Sequence, residues 1–172
     1  MVVTRLASPI DSAHIARLWR IASAAHRVTN ELPAASIPEP PREGAHQQRV
    51  LGYLADPRTF AVLGEDDGEP VGVAFATPAR TEDRANPQPI PGVAHVSMLA
   101  VRPDRWGQGL GRTILEAVQM IAGERGFARA QLWTHESNRR ARRLYERLGW
   151  RSSKRIGVDD NGEPIRHYTR DL

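Results

Sequence analysis

The sequence contains no cysteine. Disulfides, thiolate metal sites and a cysteine nucleophile are therefore excluded, and the absence points toward a cytoplasmic location. Lysine is almost missing too: Lys154 stands alone, so the net charge of +4 comes from arginine. No stretch approaches the ~18 continuous apolar residues of a membrane helix. The opening "MVVTRLASPID" lacks the basic region and apolar run of a secretory signal. No two histidines stand at metal-ligand spacing. "HESNR" at 135–139 begins like a zinc-protease helix, but Arg139 occupies the place of the second histidine. No metal is expected, and the sequence has no G-x-S-x-G elbow.

What remains is a soluble, globular composition, 40% hydrophobic and 26% charged, over 172 residues. That length suits one domain spanning 1–172. "VVTRLA" reads as a strand. Asp11 then caps a helix with Ile15, Leu18, Trp19 and Ala22 at three-and-four spacing. Residues 30–44 carry four prolines and read as a loop, followed by a short helix at "AHQQRVLGYLA". "TFAVLG" and "PVGVAFATP" flank Asp67-Gly68, a hairpin signal. A second proline-rich loop, taken as 80–92, leads to the strand "VAHVSMLAV". Next come a glycine loop, a helix carrying Ile114, Leu115, Val118 and Ile121, and the strand "FARAQLW". A helix from Asn138 to Gly149 and two strands around Asn161-Gly162 complete the chain. The pattern is α+β, strand-rich and mixed in direction.

"RWGQGLG" at 105–111 places Gly107, Gly109 and Gly111 where a strand hands over to a helix. Helix starts leave N–H groups unpaired, with about half a positive charge. Glycines let a phosphate approach those donors closely. Three turn glycines are the competing reading. A Walker loop would need Gly-Lys-Ser/Thr, and Arg112 and Thr113 follow Gly111; a dinucleotide fingerprint would need glycine at 112.

"LAVRPDRWGQGLGRTIL", followed by "NRRARRLYERLGW", resembles the GCN5-related N-acetyltransferase (GNAT) family, most strongly over 92–150. The second segment fits N-x-x-A-x-x-x-Y-x-x-x-G-aromatic through Asn138, Ala141, Tyr145, Gly149 and Trp150. The resemblance implies a mostly antiparallel mixed sheet flanked by helices, whose splayed central strands form an acyl-CoA cleft. It also implies acetyl-CoA as the acyl donor, transferred directly to an amine acceptor, and a homodimer is common among similar proteins. Donor-binding positions implied are Leu99, Ala100 and Val101 along the strand, Gly107, Gln108, Gly109, Leu110, Gly111 and Arg112 in the loop, and Asn138 and Tyr145 on the later helix. Similar proteins usually carry Gln or Arg before the first loop glycine; here Trp106 stands there, with Arg105 one place earlier.

For the chemistry, Tyr145 is the candidate acid. A phenol with a pKa near ~10 keeps its proton and can donate to a thiolate of pKa about 8.5; core packing is its alternative. His95 and Glu136 are the candidate bases. A histidine near pKa ~6.5 can take the amine proton, against the alternative of a bonded core histidine. For Glu136, capping or complementing the helix dipole is the stronger alternative. Arg139, Arg140, Arg142, Arg143 and Arg147 read first as a solvated face, then as partners of the coenzyme 3′-phosphate. Nucleic-acid binding comes last, since no stacking aromatics are interleaved. The loops 30–44 and 80–92, with Glu31, Glu39 and Glu43, are candidate walls for the acceptor. A non-catalytic acyl-CoA sensor is the alternative to an enzyme.

Overall fold

Asp67 and Gly68 both take positive φ, 51° and 80°, and close a tight hairpin between β2 (Phe60–Asp66) and β3 (Glu69–Arg80), the geometry that matches the twist of paired strands. The computed structural model describes residues 2–32, 44–82 and 85–172. Glu39 and Glu43, with most of the loop between the first two helices, lie outside the described residues. Around the hairpin, β1 (Val2–Leu6), β4 (Pro89–Val101), β5 (Arg129–His135), β6 (Arg151–Val158) and β7 (Pro164–Asp171) complete one sheet. Its order is β1-β2-β3-β4-β5-β7-β6. Every neighbouring pair is antiparallel except β4 with β5.

Helices cover both faces. α1 (Ser12–Thr29) and α2 (Ala45–Ala55) pack Ile15, Leu18, Ala22 and Val50 onto Leu63, Val73 and Phe75. α3 (Leu110–Glu124) and α4 (Arg139–Arg147) cover the other face, where Ile114, Leu115, Val118 and Tyr145 meet Val62, Ala94, Leu132 and Tyr168. Each fully buried aliphatic contributes about 1.5–3 kcal/mol. α3 comes very close to β3 because Gly72 has no side chain: a Cβ there would lie 2.6 Å from Ile114 Cδ1. Asp11 fastens the start of α1 to β1, accepting from Arg5 Nη1 and Nη2 at 2.9 and 2.8 Å.

β4 begins at Pro89, so the loop expected over 80–92 is shorter than its prolines suggest. Pro89 pairs with Arg80 of β3, the register is irregular from there to Ala94, and β5 joins the ladder only at Val93. A missing N–H is tolerated in such a position.

The feature that positions the site is the meeting of β4 and β5. They share three rungs, Val93–Arg129, Ala94–Ala130 and His95–Gln131, and no more. Just beyond, the β3–β4 register slips: Ala76 faces Val96 and Phe75 faces Met98, which leaves Ser97 without a partner. Such a bulge bends its strand and tightens the local twist. β4 stays with β3 while β5 stays with β7, and the sheet opens between them.

Candidate active site

The opening is a cleft of about 1290 Å³. β4 from Val96 to Val101 forms one wall and β5 from Leu132 to His135 the other, with α1, α3 and α4 around them. The start of α3 faces it. Gly109 caps that helix with φ 83° and without a side-chain bond, and Gly107 has φ 82°. Bonding along the helix begins with Thr113 N, which donates to Gly109 O at 3.1 Å. Among the described residues, no amide from 107 to 112 donates to a backbone carbonyl. A Cβ built on Gly107 or Gly109 meets nothing within 4 Å. This is a row of donors beside open space, at the positive end of a helix. Arg105, Arg112, Arg139, Arg140, Arg143 and Arg147 also line the cleft.

Gly107, Gly109, Leu110, Gly111 and Arg112 all reach the cleft, as do Leu99, Ala100 and Val101. Gln108 does not line it; its amide group is held between Arg105 and the Asp104 carbonyl, at 3.3 Å from each. Trp106 has its own use: Nε1 donates to Val101 O at 2.8 Å, and Arg140 lies 3.6 Å over its ring. The indole thus ties the glycine loop to the end of β4 and to α4. Arg142 is the one member of the arginine set that turns from the cleft, donating to Glu136 O at 2.9 Å and Tyr168 Oη at 3.3 Å.

Asn138 lines the cleft while serving as the N-cap of α4, its Oδ1 accepting from Ala141 N at 3.2 Å. Tyr145 also lines the cleft, although only 7% exposed. Its ring packs against Trp150 and Tyr168, with centroids at 6.2 and 5.8 Å. Burial pushes its phenol up to about 12, against the opposing bond with Thr134.

Neither base candidate is brought into the cleft. His95 occupies the last β4–β5 rung, below the opening, and is not among the lining residues. Burial, then the neighbouring His167, lower its imidazole to about 4, and its Nδ1 has no partner among the described residues. Glu136 is held by Arg166, whose Nε and Nη2 donate at 2.8 and 2.6 Å. Those bonds keep its carboxylate below the ordinary range, and it too is absent from the lining.

The structure instead assembles polar groups that sequence reasoning passes over. His26 of α1 and His135 of β5 face each other across the cleft, Nε2 to Nδ1, at 2.9 Å. The other nitrogen of His135 lies 3.0 Å from Asp159 Oδ2. The other nitrogen of His26 lies 2.9 Å from Asn30 Nδ2 and 3.4 Å from Asn138 Nδ2. Burial, His135, Arg27 and Arg140 lower His26 to about 4. Burial raises Asp159, but bonds from His135, Glu163 and Asn161 outweigh it and hold the carboxyl below its ordinary value. One signal was present: His26 continues the apolar row Ile15, Trp19, Ala22 at helical spacing, a polar residue on an apolar stripe.

A family model described as the Acetyltransferase (GNAT) family matches residues 19–150. The chain belongs to the GNAT acetyltransferase family. Among curated relatives, the mycothiol acetyltransferase of Streptomyces coelicolor is 32% identical over 123 residues, 68% of this chain and 36% of that protein. The chain thus spans roughly a third of that relative's length. Solved GNAT folds superpose over nearly the full chain. yncA from Salmonella typhimurium, solved with its cofactor acetyl-CoA, gives a TM-score of 0.74 at 20% identity, covering 99% of this chain and 94% of that one. The PaiA N-acetyltransferase of Thermoplasma acidophilum, in complex with coenzyme A, gives 0.71 at 14% identity, covering 100% and 99%. The α+β architecture implied by the glycine loop and the Asn138–Trp150 motif is the one observed: a mostly antiparallel sheet flanked by helices. Among the described residues, no group of acidic or histidine side chains is arranged to hold a metal ion, and no helix is long and apolar enough to cross a membrane.

Proposed function

We propose that this GNAT chain is an acetyl-CoA-dependent N-acetyltransferase that passes acetyl directly to an amine. The observation that carries the reading is the row of amides from 107 to 112, without a backbone partner among the described residues, facing the cleft that opens where the β4–β5 ladder ends. Those donors and the surrounding arginines suit a diphosphate. Leu99, Ala100 and Val101 offer a strand edge to the extended arm of the donor, and Asn138 a side-chain amide from the far wall. The donor supplies an activated thioester; every other requirement falls on the chain's own residues.

Tyr145 acts by hydrogen bonding. With its phenol near 12, passing a proton to a thiolate whose conjugate acid lies near ~8.5 is uphill by several units. A donated bond to the departing sulfur needs no transfer and still lowers the barrier. No covalent acetyl carrier is proposed, since cysteine is absent and no activated serine is evident.

Acetyl-CoA is expected to raise the unfolding temperature of the protein, and a panel of primary amines is expected to include acceptors that release free thiol from it. An unmoved melting curve removes the reading. Stabilisation with no turnover on any amine favours the sensor.

A further inference from the structure

The two histidines of the cleft form a chain of hydrogen bonds whose direction is fixed at both ends. Asp159 is ionised and accepts only; its Oδ1 already receives the amides of Asn161 and Glu163, each at 2.8 Å. The nitrogen of His135 beside Oδ2 must therefore carry a proton, and a neutral His135 then presents a lone pair at Nδ1. His26 Nε2, 2.9 Å away, must be the donor, so Nδ1 of His26 is an acceptor. That is what its surroundings offer: the carboxamide N–H groups of Asn30 and Asn138. The reverse arrangement would set a lone pair of His135 against the Asp159 carboxylate. One pair of tautomers satisfies every group.

We propose that His26 takes the proton of the acceptor amine at Nδ1 and that His135 and Asp159 draw the charge away from it. The inference rests on the acetyltransferase reading of the cleft. The acceptor amine displaces Asn30 Nδ2 from that lone pair, and Asn30 keeps its second bond to the His26 carbonyl, at 2.8 Å. The amine binds in its neutral form; its nitrogen bonds to the acyl carbon, the carbon–sulfur bond breaks, and that bond's electron pair leaves on sulfur. One N–H proton passes to His26 Nδ1, and the Nε2 proton of His26 moves to His135 Nδ1. The positive charge comes to rest on His135, beside Asp159, while His26 ends neutral.

This arrangement makes sense of the hostile setting of His26, which Arg27 and Arg140 both disfavour as a cation. A lone imidazole there would be a poor base; a relay never leaves the charge on it. His26 is the catalytic residue, and His135 and Asp159 are positioning residues that act through it.

The test uses the full chain, acetyl-CoA and two acceptors: the most reactive primary alkylamine of the panel, and hydroxylamine, which is already neutral at the assay pH and sheds its proton more readily. His26→Gln and His135→Gln are expected to lower kcat/KM for the alkylamine by about a hundredfold or more, and for hydroxylamine by less than about tenfold. Asp159→Asn should act in the same selective way. Equal losses with both acceptors, or no loss with the alkylamine, overturn the relay. Retained stabilisation of the variants by acetyl-CoA shows that the donor site is intact. If the unaltered chain itself is not stabilised, the acetyltransferase reading fails instead. Nitrogen-15 spectra of the histidine rings provide a readout independent of activity: at neutral pH both His26 and His135 are expected as Nε2–H tautomers. An Nδ1–H form of either ring, or a cationic His135, overturns the proposal.

Discussion

Single side chains in this cleft are tuned by what buries them. Tyr145→Phe keeps the ring that packs on Trp150 and Tyr168 but loses the hydroxyl. Turnover is expected to fall about tenfold to a hundredfold, the worth of one hydrogen bond to a charged atom, with the melting temperature lowered by a few degrees because the buried bond with Thr134 goes too. Full turnover in single-turnover kinetics would remove the proposed bond to sulfur. His26 and His95 carry a second consequence. Both are held near 4 by burial, against an ordinary value of 6.5, so the unfolded chain binds protons there that the folded chain refuses. Stability is complete above about pH 6.5 and is lost as pH falls toward about 4. Asp11, held by Arg5 at about 2, contributes to loss only at lower pH, below the ordinary carboxylate value. Thermal melts between about pH 7.5 and 4.5 should show this slope, and His95→Asn should flatten it. At this scale the sequence was partly readable. Tyr145 stood out because a spaced motif surrounded it. His26, His135 and Asp159 come from α1, β5 and the β6–β7 turn, and nothing in a linear pattern announces that three distant residues will share hydrogen bonds.

Elements were more legible, because periodicity and turn chemistry are local. The Asp67-Gly68 hairpin, the α3 stripe and the Asn138-capped α4 all form as their residues dictate. β4 ran longer than expected, since prolines that look like loop markers are harmless at the irregular start of a strand. The glycine loop can be tested as a unit. Gly109→Ala places a Cβ on a left-handed residue, costing about 1–2 kcal/mol, and sets a methyl beside the amides. The expected outcome is a melting temperature lowered by a few degrees and acetyl-CoA affinity weakened by about tenfold, measured by calorimetry. Trp106→Phe removes the indole bond to Val101 O yet keeps a ring under Arg140. It should cost about 1 kcal/mol and loosen the loop. Unchanged donor affinity in that variant would mean that Trp106 supports the fold and not the site.

For the molecule as a whole, the resemblance implied the class of architecture and a cleft between splayed central strands; what it did not supply is the register slip at Ser97 beside that opening. Among the described residues, three rungs and the bond from Ala128 N to Gly92 O at 2.9 Å are the backbone pairing between β4 and the β5 side of the sheet, and the side chains under α3 and α4 carry the rest of the connection. Such a seam is where a sheet breathes first. In the free protein the two sides can loosen at different temperatures, giving a calorimetric enthalpy that exceeds the van't Hoff value. A ligand lodged in the gap works as a keystone: with acetyl-CoA bound the two enthalpies should converge and the melt should sharpen, so that the small molecule supplies the cooperativity the missing rungs withhold.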